Sequence, residues 1–102
     1  MTESGYYIGE DLKFEVTLTA TGFNQDCDSY TIDFYAGNKH LTFTQDDVIS
    51  RGGKFYLPVP TVNLAPGMMR MVITAEIPDT DFPDGKRTEI TVVNLPSLRM
   101  VL

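Results

Sequence analysis

The sequence predicts an all-β domain, an Ig-like antiparallel β-sandwich of about six to eight strands, and three observations carry that expectation. Apolar residues recur with a period of two in several runs, the repeat of a pleated strand with one face buried. No stretch of about ten or more residues follows the 3.6-residue period of a helix. Clusters of Gly, Pro, Asn and Asp interrupt the chain at intervals of about 8 to 12 residues, as turns between short strands do.

The clearest run is Leu12, Phe14, Val16, Leu18 and Ala20, separated by Lys13, Glu15, Thr17 and Thr19, so a strand is expected over residues 12–20. The turn-rich segment Thr21 to Ser29 divides it from Tyr30–Ala36, where Ile32, Phe34 and Ala36 face inward. Ala36-Gly37-Asn38-Lys39 has tight-turn composition, and Leu41-Thr42-Phe43-Thr44 completes a hairpin. Gln45-Asp46-Asp47 breaks the pattern, and Val48 to Gly53 reads as a turn into Lys54–Val59, with Phe55, Leu57 and Val59 inward. Pro58 and Pro60 lack an N–H for a ladder, which assigns this segment to an edge or ends it early. Leu64-Ala65-Pro66-Gly67 is a type II turn by composition. It leads into Met68–Ile77, with Met69, Met71, Ile73, Ala75 and Ile77 inward and Val72 out of phase. After the acidic loop Pro78–Gly85 a strand over Arg87–Val93 is expected, with Ile90 and Val92 inward. Residues 6–93 form the core of one domain spanning 1–102, and the segment 94–102 is either a last strand or a tail packed on another subunit.

Size and charge narrow the function classes. The chain has 102 residues, one domain's worth, and 42% of them are hydrophobic, a globular composition. Eight Lys and Arg against 14 Asp and Glu leave a formal charge of −6, which repels phosphate backbones and anionic lipid, so neither nucleic acid nor membrane is expected as a partner. Residues Met1 to Tyr6 show no basic start and no long apolar run, so no secretory signal is expected. Cys27 is the single cysteine, which excludes an intrachain disulfide and fits folding in a reducing cytosol.

Chemistry-bearing residues are sparse. The one histidine, His40, sits beside the hairpin turn and has no carboxylate at a telling spacing, so it is read as an exposed turn residue. Cys27 lies between Asp26 and Asp28, whose charge suppresses a thiolate. One Cys and one His are too few for a zinc site, and Gly52-Gly53 lacks the lysine pattern of a phosphate loop. Asp79, Asp81 and Asp84 with Gly85 form a weak candidate calcium loop, in which the third acid and the glycine each fall one place later than in an EF-hand. The bland alternative is a Pro-Asp-Gly turn with solvated acids. Tyr35 and Tyr56 fall on the outward phase of their strands and suit a sugar platform or a protein interface. With Met100, Val101 and Leu102 at the tail, they are the candidate contact residues. No catalytic, cofactor or metal set is assigned, and no enzymatic activity is expected.

The run Ile8-Gly9-Glu10-Asp11-Leu12-Lys13-Phe14-Glu15-Val16, the strand Thr31-Ile32-Asp33-Phe34-Tyr35, and the tract from Ile73 through Ile77-Pro78-Asp79-Thr80-Asp81-Phe82-Pro83-Asp84-Gly85 to Arg87 carry a resemblance. Together they resemble the small Ig-like sandwich domains of phage tail and baseplate proteins, in particular the N-terminal domain of the baseplate upper protein family, and similar small phage or prophage proteins of gut Bacteroides. The resemblance implies a structural domain without activity, assembled in the host cytosol into a homo-oligomer or with other virion subunits. No functional residue carries over, because the matching positions are structural. The rival expectations are a carbohydrate- or protein-binding accessory module of a bacterial cell-envelope protein, and a calcium-dependent adhesion domain.

Overall fold

The computed structural model describes residues 5–25 and 28–101. Among them lie the strands β1 (Tyr6–Tyr7), β2 (Asp11–Glu15), β3 (Tyr30–Ala36), β4 (Lys39–Thr44), β5 (Ile49–Arg51), β6 (Lys54–Pro60), β7 (Gly67–Pro78) and β8 (Lys86–Arg99), with one 3₁₀ turn at Gln45–Asp47. They form a five-stranded sheet in the order β1-β8-β7-β3-β4 and a three-stranded sheet in the order β2-β6-β5, so the all-β sandwich is present. One ladder departs from the expected antiparallel arrangement: β1 runs parallel to β8, pairing Tyr6 with Leu98 and Tyr7 with Arg99.

The period of two sets which side chains fill the space between the sheets. In β3, Tyr30, Ile32, Phe34 and Ala36 are buried; in β7, Met69, Met71, Ile73, Ala75 and Ile77 are, as their spacing predicts. Leu12 and Val16 meet them from the other layer, where Phe14 packs on Phe34 with ring centroids 5.6 Å apart. Gly37 takes φ +58° at the first central position of the β3–β4 turn, and a side chain there would collide with the Pro66 carbonyl. The only buried polar side chain among the described residues is Thr61, whose hydroxyl donates to the Glu10 carbonyl (2.7 Å) and accepts from the Gly9 N–H (2.9 Å). It fastens the β1–β2 connection to the end of β6.

Four expectations need correction. The strand expected over residues 12–20 leaves its ladder after Glu15, because β6 begins at Lys54 and the last bond runs from the Val16 N–H to the Phe55 carbonyl. Alternating burial nonetheless continues to Ala20, since the Gln25 side chain replaces the missing strand, accepting from the Leu18 N–H and donating to the Val16 carbonyl. Within the segment expected to be a turn, Ile49–Arg51 is a strand, and the turn is confined to Gly52-Gly53.

β6 is the middle strand of its sheet, flanked by β2 and β5. Phe55 turns its carbonyl toward β2, so by alternation Pro58 and Pro60 point theirs to the opposite side, where β5 has already ended opposite Tyr56. The prolines therefore cost no ladder bond, and β6 runs on to Pro60.

The inward phase of β8 is the reverse of the one expected. Val72 pairs with Val92 and Thr74 with Ile90, and cross-strand partners share a face, so Ile90 and Val92 point outward with 64% and 52% exposure. β7 dictates this phase: its fully apolar set occupies the core, and the turn from Asp79 to Gly85 fixes the register opposite it. β8 also continues past Val93 to Arg99, and Leu98 is 1% exposed. The segment 94–102 is thus strand as far as Arg99, and only the residues after it are a tail.

Candidate interaction surface

The outward face of the five-stranded sheet carries residues whose type does not suit solvent. Ile90 and Val92 on β8 lie beside half-buried Val72 on β7, and beyond Arg70 and Asn94 on the same strands Met68 is exposed, its sulfur 3.3 Å from the Ser97 hydroxyl. Farther in, Tyr35 is cross-strand partner to His40 on one side and Arg70 on the other. The His40 ring stacks on it at 5.2 Å and 24°, and the Arg70 guanidinium lies 4.8 Å from its centroid. A shallow depression of about 340 Å³ opens between Tyr35, Gly37, Met68, Arg70 and Asn94.

Beside this face runs the edge of β8. The Asp79 N–H bonds to the Gly85 carbonyl and the Glu76 N–H to the Ser29 carbonyl, which fixes the alternation along the hairpin. Odd-numbered residues from Arg87 to Val93 bond to β7, while Thr88, Ile90, Val92 and Asn94 turn their N–H and C=O groups away from it. Among the described residues no strand lies on that side until β1 meets Leu98 and Arg99. The second sheet stops short of β8 as well, leaving Glu89 and Thr91 exposed on the inner face.

The sequence-derived contact residues do not form one surface. Tyr35 lies on the outer face of the five-stranded sheet, and Tyr56 belongs to the three-stranded sheet, where the Lys13 ammonium is 5.8 Å from its ring centroid. Their rings cannot act as a joint sugar platform, and Tyr35 is already flanked on both sides. Met100 and Val101 are exposed beyond the end of β8. Leu102, Asp26 and Cys27 lie outside the described residues. His40 is exposed on β4 just after the turn, as expected.

Asp79, Asp81 and Asp84 sit together only as a turn. The Asp79 carboxylate accepts from the Asp81 N–H (3.0 Å) and from the Arg87 guanidinium (2.6 Å), while Asp84 accepts from the Lys86 N–H (3.4 Å). Among the described residues no three acidic, histidine or cysteine side chains converge as ligands for a cation. The Asp81 N–H, and after it Arg87, hold the Asp79 carboxyl below its ordinary value; bonds to Glu89 and then Asp79 push Arg87 up. Arg87 also donates to the Thr21 carbonyl, which pins the hairpin to the loop covering that end of the core.

Sequence reading placed Ile90 and Val92 inward and so missed the outward row that they form with Thr88 and Asn94. Val72 was the available signal: an apolar residue on the outward phase of a strand whose other phase is fully apolar marks an outer face with something to cover. No helix among the described residues is long and apolar enough to cross a membrane. No family model, no curated protein and no solved structure matches this chain.

Proposed function

We propose that the domain is a non-enzymatic assembly module that works through protein–protein contacts, in the manner of the phage tail and baseplate sandwiches its sequence resembles. The observation that carries this reading is the outer face of the five-stranded sheet, where Ile90 and Val92 stand 64% and 52% exposed beside Val72, and Met68, 69% exposed, lies farther along β7 beyond Arg70 and Asn94. Apolar side chains in a contiguous strip gain about 25 cal/mol per Å² when another surface removes them from water.

We further infer that the sandwich is Ig-like. The strand order β8-β7-β3-β4 opposite β2-β6-β5 corresponds to the G-F-C-C′ and B-E-D sheets of a variable-type Ig domain, with β1 on the free side of the G position. The reading places assembly in the cytosol and the finished domain in a virion or comparable particle, as a homo-oligomer or beside other subunits.

Light scattering behind size exclusion, run over a range of concentrations, tests the functional reading. A mass that rises to a defined oligomer supports it. A mass fixed at 11.4 kDa at every concentration contradicts self-assembly and moves weight to a module that binds a different molecule.

A further inference from the structure

We propose that two copies of this chain pair antiparallel along β8, with Thr91 of each on the two-fold axis; this deepens the assembly reading above and rests on it. Among the described residues the two sheets have four lateral edges, one of them formed by β1 and the stretch of β8 ahead of it, and the other three are closed to such pairing. The edge of β2 presents Asp11, Lys13 and Glu15 in succession, charges that oppose an added strand. On β4 the outward N–H of Thr44 is taken by the Asp47 carboxylate at 2.9 Å, leaving only His40 and Thr42. β5 is three residues long. On β8 the outward row is Thr88, Ile90, Val92 and Asn94, with no charge among them.

That row has defined ends. The Lys86 N–H is bonded to the Asp84 carboxylate, and Pro96 has no N–H to give. Between those limits the row reads polar, apolar, apolar, polar, and such a palindrome is complementary to itself when reversed. With Thr91 opposite Thr91 of the second copy, Ile90 faces Val92 and Thr88 faces Asn94 on the outer side, and every outward N–H and C=O of the row finds a partner.

Charge favours the same occupant and register. Arg87 and Glu89, the charged residues nearest the centre, are already paired with each other at 2.8 Å. Across the combined sheet one row runs Glu76, Thr88, then Asn94 and Arg70 of the second copy, so each end brings an acid toward a base. Sliding the strands one step toward the hairpin tip recruits the occupied Lys86 N–H and sets Thr88 against Val92. One step the other way recruits Pro96. The seam joins the two apolar strips into one, and Ile90 of each copy loses its exposure to Val92 of the other.

The test uses the full chain with Cys27→Ser as background. Thr91→Cys should form a disulfide-linked dimer under mild oxidation, because residues facing across a non-hydrogen-bonded antiparallel pair have Cα atoms about 4.5 Å apart, within the roughly 4.4–6.8 Å that a disulfide spans. Glu89→Cys should not, since it faces Val93 of the second copy. Ile90→Lys should weaken association by about tenfold or more, and adding Val92→Glu should restore it through two new charge pairs. Ile90 is 64% exposed, so both variants should keep the fold, which circular dichroism checks. An oligomer that forms without preferential cross-linking at residue 91 overturns the edge proposal and leaves the assembly reading standing. A strict monomer at all concentrations overturns both.

Discussion

The edges of β2 and β8 belong to strands of similar hydrophobic content in the same sandwich, yet they meet solvent in opposite ways. Along β2 the residues whose backbone turns outward are Asp11, Lys13 and Glu15, so the unpaired donors and acceptors are guarded by charge. Along β8 the equivalent places hold Thr88, Ile90, Val92 and Asn94. Among the described residues the β8 edge is both unpaired and apolar, the feature that folded proteins otherwise suppress, so it reads as a surface meant for another strand. The two edges also differ in how they are tied down. β2 is anchored through buried Thr61, whereas β8 is tied at its start by the Arg87 bond to the Thr21 carbonyl and at its end by buried Leu98, and between them its ladder partner among the described residues is β7. The domain is elongated, 53 × 30 × 25 Å, with a radius of gyration of 15.3 Å against about 13 Å for a compact chain of this length.

The anchoring of β8 can be broken outright. Ending the chain after Pro96 removes buried Leu98 and the partner of β1, and should destabilise the domain by about 2–5 kcal/mol or prevent folding, as urea unfolding would register. If the truncated chain unfolds at the same urea concentration as the whole one, β8 does not depend on that end. Loss of the β2 anchor should be milder. Thr61→Val leaves the Gly9 N–H and the Glu10 carbonyl without their buried partner, at a cost of about 1–3 kcal/mol in the same measurement.

Converting one edge into the other sharpens the contrast. Lys13→Val with Glu15→Val should give β2 the character of β8, and sedimentation should then show species beyond a dimer, because a second open edge allows chains to add at both sides. If the mass is unchanged, the charges on β2 are not what keeps that edge unpaired. Conversely, Ile90→Lys should change the free energy of unfolding of the isolated domain by no more than about 0.5 kcal/mol while it reduces association, since the side chain contributes little to the isolated fold.

The smallest effect concerns the hairpin tip. The Asp79 carboxyl sits below its ordinary value near 3.8, so its contribution to stability is complete above that value and fades as the pH falls through the lower folded one. Thermal unfolding of Asp79→Asn should therefore differ from that of the parent chain at neutral pH and converge with it in strong acid. Equal midpoints at neutral pH would show that the Arg87 contact does not stabilise the tip.

Much of the sandwich was legible from alternation. Where a strand buries one face against a full partner, as β3 and β7 do, period two names its core residues directly. It gives less at a strand such as β8, where Glu89 and Thr91 on the inner face are exposed. Ile90, Val92 and Val93 are apolar on both phases, and only the register against β7 decides which face is inward. β1, with two residues, carries no periodicity to read, and the prolines of β6 had to be placed against a neighbour before their harmlessness was visible. The candidate surface was hidden for the same reason: Ile90 and Val92, its two apolar members on β8, were assigned to the core. Tyr35 and Tyr56 were correctly placed outside, but sequence could not tell that they belong to different sheets.

Amide hydrogen exchange, followed residue by residue at low and high protein concentration, addresses the β8 seam most directly. In dilute solution the Arg87, Glu89, Thr91 and Val93 amides, bonded to β7, should be protected, and those of Thr88, Ile90, Val92 and Asn94 should exchange freely. At high concentration the second set should become protected as well, in step with a doubling of mass. If those amides exchange freely at every concentration, no strand is added at this edge and the account of β8 as the assembly seam is contradicted.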